Sequence, residues 1–272
     1  MNTLNLRRDV ATLLFKFCIP LCVVLFLSCT RGPDTDQNSD AEPSMSQAPR
    51  QSEYGAQQSD QSQHLLQAQL ELALNAYRDH NYERAFTLLK PLAEAGQSEA
   101  QRRLGVMYRH GLGVKRDDSE AMKWYLAAAE QGHVRAQNNL GIMYLFGLGT
   151  APDSQKAERW LLAAAKQNDA KAQENLGIFY TKRKRYDEAI RYLNLAAQQS
   201  QTRAQLNLGL LLLAGNGVKK DETAAMDWIS KAAHNGSGAA ALAVSKAFRG
   251  GLYGYPVDQA QADFWADRAL QR

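Results

Sequence analysis

Disulfide chemistry is almost closed to this chain. Its three cysteines, Cys18, Cys22 and Cys29, all lie within the first 29 of 272 residues, so whatever follows has to be held together by packing and hydrogen bonds. Proline is scarce, 7 in all, and few helices need be interrupted. Charge of one sign is lacking too. The 32 Lys and Arg nearly balance 28 Asp and Glu, and no basic stripe stands out of the kind a nucleic-acid footprint needs. The five histidines, His64, His80, His110, His133 and His234, are scattered with no i, i+4 partner, which speaks against a zinc site. There is no Gly-x-x-x-x-Gly-Lys-Ser/Thr loop for phosphate and no Ser-x-x-Lys pair for acyl transfer. The expectation is a protein that is not an enzyme and has no catalytic, metal or cofactor residues.

What is present begins with an export pattern. Arg7 and Arg8 precede Phe17 to Ser28, an almost unbroken apolar run with Lys16 at its edge. About 12 apolar residues are too few to cross roughly 30 Å of hydrocarbon but suit the core of a signal peptide. The sequence Phe26-Leu27-Ser28-Cys29 resembles a bacterial lipobox, departing from it at Phe26, where that motif prefers Leu. The resemblance implies that residues 1–28 are removed and that Cys29 is the lipidated N-terminus. An ordinary signal peptide, or an uncleaved anchor starting near Val10, remains an alternative. Removal would take away Cys18 and Cys22 and leave a net side-chain charge near +2, since three cations and one anion depart.

Residues 29–64 are rich in Ser, Gln, Asp, Pro and Gly without apolar periodicity, and read as a disordered linker. Some 30 flexible residues have an end-to-end distance of roughly 30 Å. After that the chain repeats. Ala-Gln pairs recur at Ala68, Ala100, Ala136, Ala172 and Ala204, with Ala240-Ala241 as a weaker match, so successive alanines are 32, 36, 36, 32 and 36 residues apart. Leu104-Gly105, Leu140-Gly141, Leu176-Gly177 and Leu208-Gly209 follow in step, and Tyr108, Tyr144 and Tyr180 lie three further on. Trp124, Trp160, Trp228 and Trp265 share one slot, which Tyr192 fills in the unit between. Columns in register at this period signal a solenoid.

Each unit reads as two helices. Ala100, Leu104, Met107 and Tyr108 line one face of the first, and Gly105 removes a side chain where a neighbour can press close. The pattern stops at Gly111-Leu112-Gly113, Gly147-Leu148-Gly149 and Gly215-Asn216-Gly217, where glycine can take a left-handed cap. Asp117, Asp153 and Asp221 then stand where an N-cap would open the second helix. The tryptophans, beside alanine pairs, read as repeat core rather than as a stacking ladder. Asn139, Asn175 and Asn207 form a further column, expected to hydrogen-bond the neighbouring unit's backbone in preference to a ligand.

The run Ala136-Gln-Asn-Asn-Leu-Gly-Ile-Met-Tyr, the Gly-x-Gly loop and Ala157-Glu-Arg-Trp-Leu-Leu-Ala-Ala-Ala resemble the Sel1-like repeat family, a relative of the tetratricopeptide repeats. The resemblance covers residues 65–272 and implies an all-α, right-handed superhelical solenoid of antiparallel helix pairs. The units starting at Ala68 and Ala172 omit the four-residue loop extension, and Tyr82-Glu-Arg-Ala85 and Tyr186-Asp-Glu-Ala189 close them in a more tetratricopeptide-like way. The last unit is loose: Ser245 stands where Gly would, and one extra residue separates Ala240 from Trp265. The regularly paired cysteines of the family members associated with β-lactam binding are missing.

Family resemblance places ligands on the concave side, lined by the first helices. The positions flanking Leu-Gly there are Arg102, Val106 and Arg109, then Asn138, Ile142 and Leu145, then Glu174, Ile178 and Thr181, then Leu206, Leu210 and Leu213. This groove would run from basic to apolar and suit a hydrophobic or helical peptide, with the arginines contacting carboxylate. Leu210 and Leu213 fit packing against the last unit equally well. The functional expectation is an interaction scaffold with a protein or peptide partner, no nucleic acid, and a lipid tether to the cell envelope. Thr30 after Cys29 resembles the outer-membrane sorting preference, with the body facing the periplasm. An envelope hydrolase acting on peptidoglycan or β-lactams, and a surface-exposed host-interaction protein, are the rival readings.

Overall fold

The computed structural model describes residues 51–271, with side chains from 61 onward. The expected signal peptide, Cys29 and the first part of the expected linker lie outside the described residues. Among those described there are twelve helices and no strand: α1 Gln51–Arg78, α2 Tyr82–Glu94, α3 Ser98–His110, α4 Asp118–Glu130, α5 Val134–Phe146, α6 Ser154–Lys166, α7 Ala170–Lys182, α8 Tyr186–Gln198, α9 Thr202–Ala214, α10 Glu222–His234, α11 Gly238–Gly250 and α12 Gln259–Leu270. Each helix packs on its neighbours in sequence, so the chain is an all-α solenoid of antiparallel helix pairs. Among the first members of the pairs, α7 also meets α5 and α9. None of the described helices is long and apolar enough to cross a membrane.

The capping chemistry follows the sequence closely. Asp117 accepts from the backbone N–H of Ser119 and Glu120, Asp153 from Gln155 and Lys156, and Asp221 from Ala224, each satisfying donors that the first turn leaves unpaired. Asp258 does the same for α12. Gly111, Gly147 and Gly215 end α3, α5 and α9 at φ between 67° and 69°. The second glycine of each loop has a different task. A Cβ on Gly113 would run into the backbone of Tyr82, and one on Gly149 into that of Asp118, so these loops lie flat on the start of the preceding unit's second helix.

Helix pairs close through the Leu-Gly column. A Cβ at Gly105 would sit 2.6 Å from the Tyr125 ring, at Gly141 2.7 Å from Leu161, and at Gly177 2.6 Å from Leu193. Ser245, which replaces this glycine in the last unit, is buried and donates its hydroxyl to the Ala262 carbonyl at 2.6 Å. The larger residue is therefore accommodated by a hydrogen bond across the pair. The extra residue of that unit is taken up between α11 and α12, where Tyr255 packs on Phe248 and bonds Ser230.

Between units the work is done by glutamine. Gln101, Gln137, Gln173 and Gln205 are all buried. Their Nε2 groups donate to the carbonyls of Ala93, Ala129, Ala165 and Ala197 on the preceding helix at 3.1–3.3 Å. Their Oε1 atoms accept from Gln131, Gln167, Gln199 and Asn235, the C-cap residues of the following helix, at 2.7–3.0 Å. One amide thus bridges three successive helices, and four such bridges join α2 to α10.

Three expectations need correction. The linker does not extend to residue 64, because α1 starts at Gln51. Residues 61–65 are exposed and make no apolar face; the helix continues through them because each added residue gains a backbone bond once Leu70, Ala73 and Ala76 have fixed the packed part. The asparagine column does not reach the neighbouring unit's backbone: Asn175 donates to the Asn138 side chain, and Asn207 to Arg203 of its own helix. The tryptophans are only partly core. Trp265 is buried, but Trp124, Trp160 and Trp228 are half-buried at the edge of the core, and the fully enclosed side chains are one residue later, at Tyr125, Leu161, Leu193 and Ile229. The Trp124 Nε1 group is enclosed without a hydrogen-bond partner among the described residues.

Replacing Gln137 by Ala removes both bonds of one bridge and leaves a small void, and should lower unfolding stability by about 2–3 kcal/mol. Asn207→Ala, which loses a bond within one helix, should cost under about 1 kcal/mol. Urea unfolding followed by circular dichroism measures both, and equal shifts would contradict the bridging role.

Candidate functional site: a cationic apolar pocket on the first helices

The expected groove positions fall into three rows along the first helices, and the structure treats them differently. In the first row Arg102, Asn138 and Glu174 are buried and already partnered. Arg102 places Nε and one terminal nitrogen on the two Glu99 oxygens at 2.7 and 2.6 Å. Asn138 accepts from Asn175 at 2.9 Å. Glu174, 1% exposed, meets Lys171 at 2.9 Å and Arg203 at 3.6 Å. Leu206, the fourth member, packs against the last core cluster.

In the row of Arg109, Leu145, Thr181 and Leu213, partnering again removes most candidates. Arg109 pairs with Asp118 at 3.2 Å. The Thr181 hydroxyl returns to the Gly177 carbonyl at 2.9 Å, and Leu213 packs against the last cluster with Leu206. The expected carboxylate contact from Arg102 and Arg109 is therefore corrected, since both guanidinium groups are held by acidic side chains of α3 and α4. Of the two leucines whose role was open, Leu213 packs and Leu210 stays 47% exposed.

The middle row survives best. Val106, Ile142 and Ile178 are half-buried apolar side chains. Ile142 and Ile178, with Leu145, form the apolar part of a cavity of about 320 Å³ whose other walls are Phe146, Asn175, Phe179, Lys182, Arg183 and Arg203. Phe146, at the end of α5, is 58% exposed, an unusual state for so large an apolar ring. Three of the lining residues are cations and none is an acid. Arg183 lies over the Phe179 ring at 3.7 Å and reaches Ser154, which fixes its guanidinium by cation–π contact. Lys182 has no ion pair among the described residues, while Arg203 is tied only at long range to Glu174.

These cations were passed over in the sequence although a signal was there. Lys182-Arg183-Lys184-Arg185 is a run of four basic residues, of which Lys182 ends α7 and the other three form the turn to α8 in the shortened unit. Lys184 takes the turn's left-handed conformation at φ 58°. Arg185 points elsewhere, to Glu158 and Glu188. Phe146 stands in the column of His110, Lys182 and Ala214, where the repeat dictates no residue, and Phe179 shares the buried core column of Met107, Met143 and Leu211, so neither carries a sequence signal for a site.

A second cluster is electrostatic and structural. Glu99 receives Arg102, Arg103 and His133 together. His133 caps α5 by accepting the Ala136 N–H on Nδ1, so its Nε2 carries the proton and donates to Glu99 at 2.9 Å. Burial would raise the Glu99 carboxyl, but the bonds from Arg102, His133 and Arg103 outweigh it and hold the group well below the usual carboxylate range. A carboxyl depressed in the folded state contributes stability that is present above its unfolded value of 4.5 and is lost as pH falls. Glu99→Gln should therefore lose stability at pH 7 and show a flatter decline than the parent between pH 5 and about pH 2; thermal melts across that window check it, and parallel curves would show that Glu99 is not the responsible group.

The Sel1 repeat family matches residues 67–97, 98–133, 134–169, 170–201 and 202–237, leaving the loose unit from Ala240 unmatched. The chain is similar to a solved Sel1 repeat protein from Oxalobacter formigenes, with 33% identity, a TM-score of 0.69, and coverage of 75% of this chain and 82% of that one. It is also similar to c5321, a protective antigen present in uropathogenic Escherichia coli strains, at 36% identity and a TM-score of 0.71 over 75% of this chain but only 45% of the antigen. The Pseudomonas aeruginosa immunity protein Pa5087 shares the fold at 21% identity, with a TM-score of 0.51 and coverage of 74% and 81%. No curated protein matches. Sel1 repeat proteins generally mediate protein–protein interactions and are typically non-catalytic. With five repeats matched over more than half its length, this chain belongs to the Sel1 repeat family.

Proposed function

We propose that the protein is a lipid-anchored scaffold of the bacterial envelope whose first-helix surface holds a protein partner. The observation that carries the scaffold part is the pocket across α5 and α7. A solenoid in which repeated positions make the core has no structural need for a 58% exposed phenylalanine beside an apolar hollow, and such patches mark contact surfaces. The envelope part rests on the lipobox-like Phe26-Leu27-Ser28-Cys29 after an apolar run. Tethered by Cys29 to the outer membrane and facing the periplasm, the repeats would present this surface to partners in envelope assembly, secretion or signalling.

A second reading takes the same body to the cell exterior as a host-directed surface protein. It is favoured by the 36% identity to a protein described as a protective antigen. Protease treatment of intact cells separates the two, since only an outward-facing body would lose its repeats.

Cys29→Ala should abolish metabolic labelling with palmitate and release the protein to the soluble fraction. Labelling that persists in this variant overturns the tether. In-cell crosslinking with mass spectrometry should recover a defined protein partner, and a spectrum of crosslinks confined to the chain itself would count against the scaffold.

A further inference from the structure

We propose that the pocket between α5 and α7 binds an acidic peptide segment that inserts one bulky apolar side chain, with carboxylates of the segment engaging Arg203 at one end and Lys182 and Arg183 at the other. This rests on the scaffold reading and names the chemistry of its partner. The floor is apolar, formed by Ile142, Leu145, Ile178 and Phe179, and Phe146 stands at its rim. Burying an apolar anchor there removes both surfaces from water, the main source of affinity in such sites. At about 320 Å³ the cavity lies at the small end of the range for ligand sites, roughly 300–1,000 Å³, so it takes a side chain rather than a domain face.

Charge then selects the flanks. The lining holds three cations and no acid, and the nearby carboxylate, Glu174, is 1% exposed and already neutralised by Lys171 at 2.9 Å. The Arg203 side chain is 61% exposed and only a 3.6 Å contact ties its Nε to Glu174, so its terminal nitrogens can turn to an incoming acid. Arg183 is pre-ordered by its stacking on Phe179, which reduces the ordering it must undergo on binding. A basic peptide would be repelled from both ends.

The spacing makes the preference more specific. Asn175 and Lys182 mark the ends of the cavity along α7, about 10 Å apart at 1.5 Å of rise per helical residue. An extended chain covers that distance in about three residues. The preferred segment therefore has two acidic residues about three or four apart, with a bulky apolar residue between them. A nucleic acid offers the opposite balance, charge without an aliphatic anchor, and would leave Ile142, Leu145 and Ile178 unfilled.

A random 12-residue phage-displayed library, selected against the full-length protein, tests this without knowing the partner. Enrichment of Leu, Ile, Met or Phe flanked by Asp or Glu is expected. A basic consensus, a consensus without an apolar residue, or no enrichment overturns the proposal. The enriched sequence, made as a labelled peptide, should bind with affinity that falls as salt rises. Phe146→Ser and Lys182→Glu should each weaken it about tenfold, and circular dichroism should show unchanged helicity because both side chains are exposed. Binding unaffected by both variants, or displaced more strongly by a single-stranded oligonucleotide than by unlabelled peptide, would also defeat it. If the peptide results fail while in-cell crosslinking still yields a partner, the scaffold stands and only the chemistry assigned to this pocket falls.

Discussion

The solenoid depends on one recurring interaction, a buried glutamine amide that spends its donor on the helix before and its acceptor on the helix after. Packing of Leu, Ala and Gly columns is non-directional and would tolerate sliding of one unit on the next. A buried amide is not so tolerant, because leaving either end unpaired costs about 1–3 kcal/mol. Four such bridges, three closed by a glutamine and the last by Asn235, therefore set both the rotation and the translation of each unit relative to its neighbours. The second-helix alanines make this possible, since Ala93, Ala129, Ala165 and Ala197 leave their backbone carbonyls within reach of a side-chain amide.

Among the described helices the bridges leave out α1 at one end and the α11–α12 pair at the other. At the far end Ala241 occupies the glutamine position, and the last pair is joined to the rest by an apolar cluster around Met226, Ile229 and Trp265. At the near end Gln69 lies in the same register, but no helix precedes α1 among the described residues and Gln69 is exposed. Leu72, aligned with the fully buried Leu176, is 46% exposed for the same reason. An identical residue is core or surface according to whether a neighbouring unit covers it.

This separates what could be read in the sequence from what could not. Caps were legible because they are local: Asp117 bonds residues two and three positions away, and Gly111 needs only its own backbone. The pairing of Gly105 with its second helix was legible because a missing side chain has few other uses. The glutamine column was visible as a repeated letter, yet the bridging role was assigned to asparagine. Both are amides, and only the three-dimensional offset between units decides which one reaches the neighbouring carbonyl. The tryptophan slot erred by one residue, since a half-buried aromatic at the rim and an enclosed residue beside it share the same periodicity. Arg102 and Arg109 looked available for a ligand because sequence spacing does not show Glu99 three residues before one, or Asp118 across the loop from the other, taking up their charge.

The candidate pocket was half legible for a related reason. Repetition identifies the faces of each helix, so Ile142, Leu145 and Ile178 were legible as groove positions. It could not find Phe146, Lys182 or Arg203, because residues that confer specificity are those that the repeat does not dictate. The shortened unit sharpens this contrast. The absence of the glycine loop between α7 and α8 leaves, in place of a segment that would lie flat on the preceding unit, a tight turn of Arg183, Lys184 and Arg185 directly after Lys182 at the end of α7. The same deletion that leaves the glutamine bridges at Gln173 and Gln205 intact puts cations beside an apolar hollow. Variation in loop length can thus build a binding site on this scaffold without disturbing the interaction that sets its geometry.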